Sequence, residues 1–106
     1  MLRLNQKEEP DSSGQEDKAM MKLKVSDLQE GLHHSEVVVS IHTTEGDEGL
    51  VLGKRSVERG YINVGYPIRI KGSSFLVELP RETSSGKWRV WVDKSQLEDA
   101  PEKVVA

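Results

Sequence analysis

At 106 residues, with 31% charged and 35% hydrophobic side chains and a net charge of −3, the chain sets an expectation of one domain. It contains no cysteine, which excludes disulfides, thiolate metal sites and cysteine nucleophiles. No run is apolar enough for a membrane span or a signal-peptide core, so a small soluble protein in the cytoplasm is expected.

Charge is unevenly spread. Met1 to Leu50 carries eleven Asp/Glu against five Lys/Arg, whereas Val51 to Ser95 carries nine Lys/Arg against four Asp/Glu. The middle of the chain is basic and both flanks are acidic, a pattern that suits either an acidic partner or an ordinary solvated surface.

Residues 1–20 are polar and acidic, with Leu2, Leu4 and Ala19 among their few apolar side chains. Such a stretch buries too little to offset the entropy of ordering, and it is expected to be a disordered tail. From Leu23 onward apolar residues recur with a period of two, the pattern of strands. Ser26–Asp27–Leu28–Gln29–Glu30–Gly31 interrupts it with a capping residue, an acid and a closing glycine, and predicts a single helical turn. Glu36–Thr43 then places Val37, Val39 and Ile41 on one face. Gly49–Gly53 is a short apolar run, and Gly60–Gly65 alternates around Ile62 and Val64. Tyr66–Lys71 puts Ile68 and Ile70 opposite Arg69 and Lys71. Ser74–Leu79 aligns Phe75, Val77 and Leu79, and Lys87–Asp93 aligns Trp88, Val90 and Val92. The polar stretch Arg81–Gly86 between these last two predicts a hairpin with a mobile tip. Lys94–Leu97 suits one 3₁₀ turn. Pro101 discourages strand pairing in the terminal stretch 98–106, although Val104 and Val105 suit a short closing strand.

The domain expected over 21–97 is all-β, and the Gly-, Pro-, Ser- and Asp-rich breaks between its short strands match a barrel or sandwich. Its core is predicted to be Val37, Val39, Ile41, Leu50, Leu52, Ile62, Val64, Ile68, Ile70, Phe75, Val77, Leu79, Trp88, Val90 and Val92. A domain of this size buries about 60–65% of its unfolded surface, which leaves little room for a deep, enclosed active site.

The succession of strand, polar hairpin, strand and the turn Trp91–Val92–Asp93–Lys94–Ser95–Gln96–Leu97 resembles the closing segment of SH3-like small β-barrels. It is also similar to the end of retroviral-integrase C-terminal domains, and of small prokaryotic proteins of unknown role with a comparable tryptophan–valine, lysine–serine–glutamine run. The resemblance covers Phe75 to Leu97 and implies a small, strongly bent barrel, with an OB-like barrel as the rival architecture. It implies binding of peptides, nucleic acids or neighbouring domains, without choosing among them. The chain lacks the early paired tyrosines and acidic loop of peptide-binding SH3 domains, which argues against proline-rich ligands.

Candidate chemistry is sparse. Gly49–Ser56 superficially resembles a phosphate loop, but it has three residues between its glycines, and Arg55 stands where a magnesium-binding Ser or Thr belongs. His33 and His34 are adjacent, and in extended chain they point opposite ways. Glu45, Asp47 and Glu48 lie in one Gly-containing turn with too few regularly spaced oxygens for an EF-hand. No nucleophile elbow places a Ser beside a His. No catalytic residue, metal site or cofactor is therefore expected. Strand alternation puts Tyr61, Arg69, Lys71, Arg89 and Trp91 outward, and these five are the predicted binding residues. The expected function is a non-catalytic adaptor that contacts another protein through this basic and aromatic face. A nucleic-acid-binding barrel is the alternative, with cations neutralising phosphates and aromatic rings stacking on bases. An accessory subunit of a larger enzyme complex is the third.

Overall fold

The computed structural model describes residues 19–100, all-β apart from two single 3₁₀ turns. Of the tail expected over 1–20, residues 1–18 lie outside the described residues, as does the closing strand expected at Val104 and Val105, whereas Ala19 and Met20 are tied to the fold. Ten strands follow in chain order: β1 Met21–Lys24, β2 Ser26–Glu30, β3 Glu36–Thr43, β4 Gly46–Gly53, β5 Val57–Glu58, β6 Tyr61–Gly65, β7 Arg69–Lys71, β8 Ser74–Glu78, β9 Arg89–Asp93 and β10 Leu97–Asp99. The 3₁₀ turns are Lys54–Ser56 and Lys94–Gln96.

Pairing divides the strands into three antiparallel sheets: β2-β3-β4, β10-β1-β6-β5 and β9-β8-β7. No ladder among the described residues runs continuously around a closed barrel. Cross-links between loops hold the sheets together instead. Thr44 N donates to Trp91 O at 2.9 Å, Val25 N to Gly60 O at 2.9 Å, and Lys94 N to Ser73 O at 2.7 Å.

One hydrophobic cluster lies between the sheets, because alternation aims one side of each strand at a common centre. Val37 pairs with Leu52 and Val39 with Leu50, and all four are buried. Val77, Val90 and Val92 face them from β8 and β9, and Leu23, Ile62, Val64 and Leu97 from the four-stranded sheet. Full burial of such a side chain stabilises the fold by about 1.5–3 kcal/mol. Eleven of the fifteen predicted core residues are buried, and Phe75 is half-buried against the cluster.

Three predicted core residues are not in the core. Ile68 is 43%, Ile70 40% and Trp88 51% exposed. Ile70 shares a row with Phe75 and Val92, so it faces the correct side of its sheet. β7 is the outermost strand of that sheet, however, and the side chain overhangs the edge. Ile68 precedes the strand by one residue. Trp88 precedes β9 by one residue, and its large ring stays half in solvent although its neighbour Leu79 is buried. Met21, Val25, Leu23 and Leu97 supply the missing burial.

The helical turn predicted over Ser26–Gly31 is a strand. β2 pairs with β3 through a bulge between Ser26 and Gln29, where Asp27 adopts φ 51°. A one-turn helix leaves most of its backbone groups unpaired, whereas hairpin pairing satisfies them. Gly31 N donates to Glu36 O and Glu36 N to His33 O, both at 2.9 Å, and these bonds close the hairpin. The 3₁₀ turn expected after β9 is present at Lys94–Gln96, with the Asp93 carboxylate accepting from Ser95 N at 2.9 Å. The chain then pairs Leu97–Asp99 with Met21–Leu23. Met20 O accepts from Ala100 N at 2.7 Å, and Ala19 packs on the core.

Candidate functional site

The outward side of the β9-β8-β7 sheet follows from register, since partners across an antiparallel ladder share a face. Arg69, Leu76 and Trp91 form one row, Lys71, Ser74 and Asp93 the next, and Glu78 stands opposite Arg89. Alternation places all of these on one side, with Phe75, Val77, Val90 and Val92 on the other. Four of the five predicted binding residues, Arg69, Lys71, Arg89 and Trp91, therefore occupy a single face. Arg69, Lys71 and Arg89 are exposed and Trp91 is half-buried. The Lys71 ammonium stands 5.9 Å from the Trp91 ring centroid, within cation–π range.

Trp91 is half-buried because it lies in an open groove of about 330 Å³ lined by Thr43, Thr44, Glu45, Leu76, Lys87, Arg89, Val90 and Trp91. The wall formed by Thr43–Glu45 is the tip of the β3–β4 hairpin, pinned by the Thr44–Trp91 backbone bond. Its geometry is set locally. Thr43 Oγ1 donates to Gly46 O at 2.6 Å and accepts from Glu45 N at 3.1 Å.

The loop predicted to be a mobile hairpin tip is fastened to that same turn. Thr83 is 4% exposed, and its hydroxyl accepts from Lys87 N at 3.0 Å. Ser84 N donates to Gly49 O at 2.9 Å, and Ser85 Oγ to Glu48 Oε1 at 2.7 Å. Lys87 Nζ lies 3.2 Å from Glu45 and 3.4 Å from Glu48. The Ser85 hydroxyl, with help from Thr83 and Lys87, holds the Glu48 carboxyl below its usual range, and Glu45 and Glu48 raise Lys87. The acidic turn thus acts as a clasp for a basic and hydroxylated loop. Asp93, on the outward face, is lowered by hydrogen bonds from Ser95 and then Ser73. His42, on the outward side of β3, is exposed and meets Asp47 at 2.5 Å.

Tyr61 stands apart from the other four. It belongs to the four-stranded sheet, where its hydroxyl donates to Glu98 at 2.9 Å and Lys22 Nζ lies 4.9 Å from its ring centroid. Lys22 also reaches Glu98 at 3.8 Å. The Glu98 carboxylate, as hydrogen-bond acceptor, raises the Tyr61 phenol. Tyr61 lines a second and larger open groove, of about 530 Å³, with Lys22, Arg55, Ser56, Glu58, Arg59, Ile62, Asn63 and Pro80.

Among the described residues, no group of three or more His, Cys, Asp or Glu is placed to hold a metal ion, and no helix is long and apolar enough to cross a membrane. No protein-family model, no curated protein and no solved structure matches the chain.

Sequence reasoning missed the wall of the Trp91 groove. Thr43–Glu45 and Lys87 reach the site through the clasp between two loops that lie about forty residues apart. The available signal was charge complementarity between Glu45, Glu48 and Lys87, and nothing local ties those positions together.

Proposed function

We propose that the protein is a non-catalytic binding module that contacts another protein through the outward face of β7, β8 and β9, centred on Arg89 and Trp91. The observation that carries this reading is the shared face of Arg69, Lys71, Arg89 and Trp91, with Trp91 seated in a groove. Trp and Arg are the side chains that most often anchor protein interfaces, because they bury a large apolar surface and retain polar reach. Glu78 and Asp93 are interleaved among the cations. Three positive and two negative groups make a mosaic that suits a partner surface of mixed charge. A polyanion would meet repulsion at both carboxylates.

A small, strongly bent SH3-like barrel accords with three short-stranded sheets around one core, and with the closing passage from β9 through a 3₁₀ turn into β10. An OB-like arrangement remains the rival. A cytoplasmic setting accords with a chain that carries no cysteine. The nucleic-acid reading draws on Trp91 with its three neighbouring cations.

One experiment separates the two ligand classes. Trp88→Phe leaves Trp91 as the sole indole. Short single-stranded DNA and RNA, titrated at low salt, should leave its fluorescence unchanged at tens of micromolar. A photo-crosslinker placed at Arg89 in cells should give a discrete protein adduct that disappears with Trp91→Ala. Quenching by the oligonucleotides that weakens steeply with salt would replace this reading with the nucleic-acid one. An adduct indifferent to Trp91→Ala would overturn the assignment of the face.

A further inference from the structure

The larger groove has a ligand chemistry of its own. Its floor is the outward side of β1, β5 and β6, and its rim is the Arg59–Gly60 turn and the 3₁₀ turn at Lys54–Ser56. β5 and β6 pair Glu58 with Tyr61, so Arg59 and Gly60 form a two-residue hairpin loop. Their φ values are 56° and 84°. Tight hairpin turns of this hand require positive φ at both central positions, which favours Asn, Asp or Gly at the first. Arginine carries a Cβ into a conformation that L-residues avoid, and it has no short polar side chain to compensate locally. Strain of this kind persists where the surroundings or the function require it. Here the strained residue is one of the cations that line the groove.

The neighbouring groups are consistent with that. Arg55 and Arg59 have no carboxylate within salt-bridge distance among the described residues, while Lys22 is shared with Glu98. Ser56 and Asn63 add neutral donors. Tyr61 and Pro80 give a partly apolar wall. Two guanidinium groups unpaired among the described residues, with flanking hydroxyl and amide donors, match the several acceptor oxygens of a phosphate, which arginine binds through paired N–H groups. A volume of about 530 Å³ falls in the range of small-molecule sites.

We propose that this groove binds a phosphorylated small molecule, with Arg55 and Arg59 holding the phosphate oxygens and the Tyr61–Pro80 wall contacting the remainder. Three cations offset by Glu58 in the groove and by Glu98 beside Lys22 suit a di- or triphosphate-sized anion better than a long polymer. The site lies on a different sheet from the Trp91 face and is independent of it.

The test uses the full chain and inorganic pyrophosphate, followed by backbone amide NMR shifts at low salt. Shifts should be confined to Lys22, Arg55–Ser56 and Glu58–Asn63 and should saturate at millimolar pyrophosphate or below. Arg59→Asn should weaken binding at least tenfold while raising the melting temperature, because asparagine tolerates the turn better. Glu58→Gln, which removes the one acidic wall, should tighten binding several-fold. Adenosine diphosphate should bind more tightly than pyrophosphate, because its nucleoside meets the Tyr61–Pro80 wall, and equal affinity would overturn that part of the proposal. Unchanged affinity in Arg59→Asn, weaker binding in Glu58→Gln, or shifts scattered over every basic strand would each overturn the proposal. So would a single-stranded oligonucleotide that displaces pyrophosphate from the same amides at lower concentration.

Discussion

The outward face of β7–β9 and the groove over β1, β5 and β6 are both basic, and they differ in where the opposite charge stands. On the first, Glu78 faces Arg89 across the ladder and Asp93 shares a row with Lys71. The positive charge there is partly answered by the protein itself. In the second, Arg55 and Arg59 are not answered by any carboxylate in salt-bridge range among the described residues. A count of lysines and arginines along the chain treats the two alike. Position relative to carboxylates separates a mosaic suited to a protein surface from a pocket suited to a concentrated anion.

The comparison assumes that both regions rest on one core, and the largest predicted effect tests that assumption. Leu23 is fully buried beneath the groove. Leu23→Ala should cost about 2–5 kcal/mol in urea unfolding. Tryptophan fluorescence, which reports the opposite region through Trp88 and Trp91, should change at the same urea concentration as the far-ultraviolet circular dichroism. Separate transitions would show that the two regions are independent units.

A smaller effect of opposite sign is expected at the groove rim. Arg59→Asn should stabilise the protein by about 1 kcal/mol, relieving left-handed backbone strain, as read from the urea midpoint at unchanged slope. Trp91→Ala should lower the stability read from that midpoint by no more than about 1 kcal/mol, because the half-buried ring gives up only part of its apolar contact. A large loss would mean that the indole belongs to the core.

The clasp beside the Trp91 groove gives a pH signature. Glu48 and Asp93 titrate below their usual 4.5 and 3.8 in the folded protein. Depressed folded values mean that the unfolded chain binds these protons first. Their contribution is therefore present above the ordinary carboxylate range and is lost as pH falls through the folded values. Stability measured by urea midpoint should decline below about pH 4.5, and Glu48→Gln should flatten that decline. The same variant should speed hydrogen exchange at the Ser84 amide.

The smallest effect belongs to the groove. Tyr61 titrates above its usual 10.0 because its hydroxyl donates to Glu98. A raised value stabilises the fold below pH 10 and ceases to do so as pH rises through the folded value. Tyr61→Phe should remove this alkaline dependence and leave the acid limb untouched.

The strands themselves were legible because alternation of Val, Ile and Leu with polar residues is a local signal. Val37, Val39 and Ile41 lie where their period puts them. Ile68 and Ile70 show the limit of that signal. Period tells which side of a sheet a residue faces, but whether anything covers that side depends on strand order, and β7 proved to be an edge. Ser26–Gly31 carried genuine helix-start chemistry, yet hairpin pairing with β3 outweighed it. At the candidate site, alternation correctly gathered Arg69, Lys71, Arg89 and Trp91. It could not show that Tyr61 lies on another sheet, because sheet membership is set by pairings between distant segments. The Arg59–Gly60 turn was also hidden, since arginine is not a residue that announces positive φ.

The pairing of β10 with β1, extended by the Ala100–Met20 bond, has a practical consequence. Positions 20 and 100 lie side by side, while Leu32 in the β2–β3 loop is almost fully exposed. A short Gly-Ser bridge across the first pair, with the chain reopened at Leu32, should yield a circular permutant with the same ladders. The same adjacency lets the chain enter and leave at one point, the geometry that insertion into a surface loop of a host protein requires.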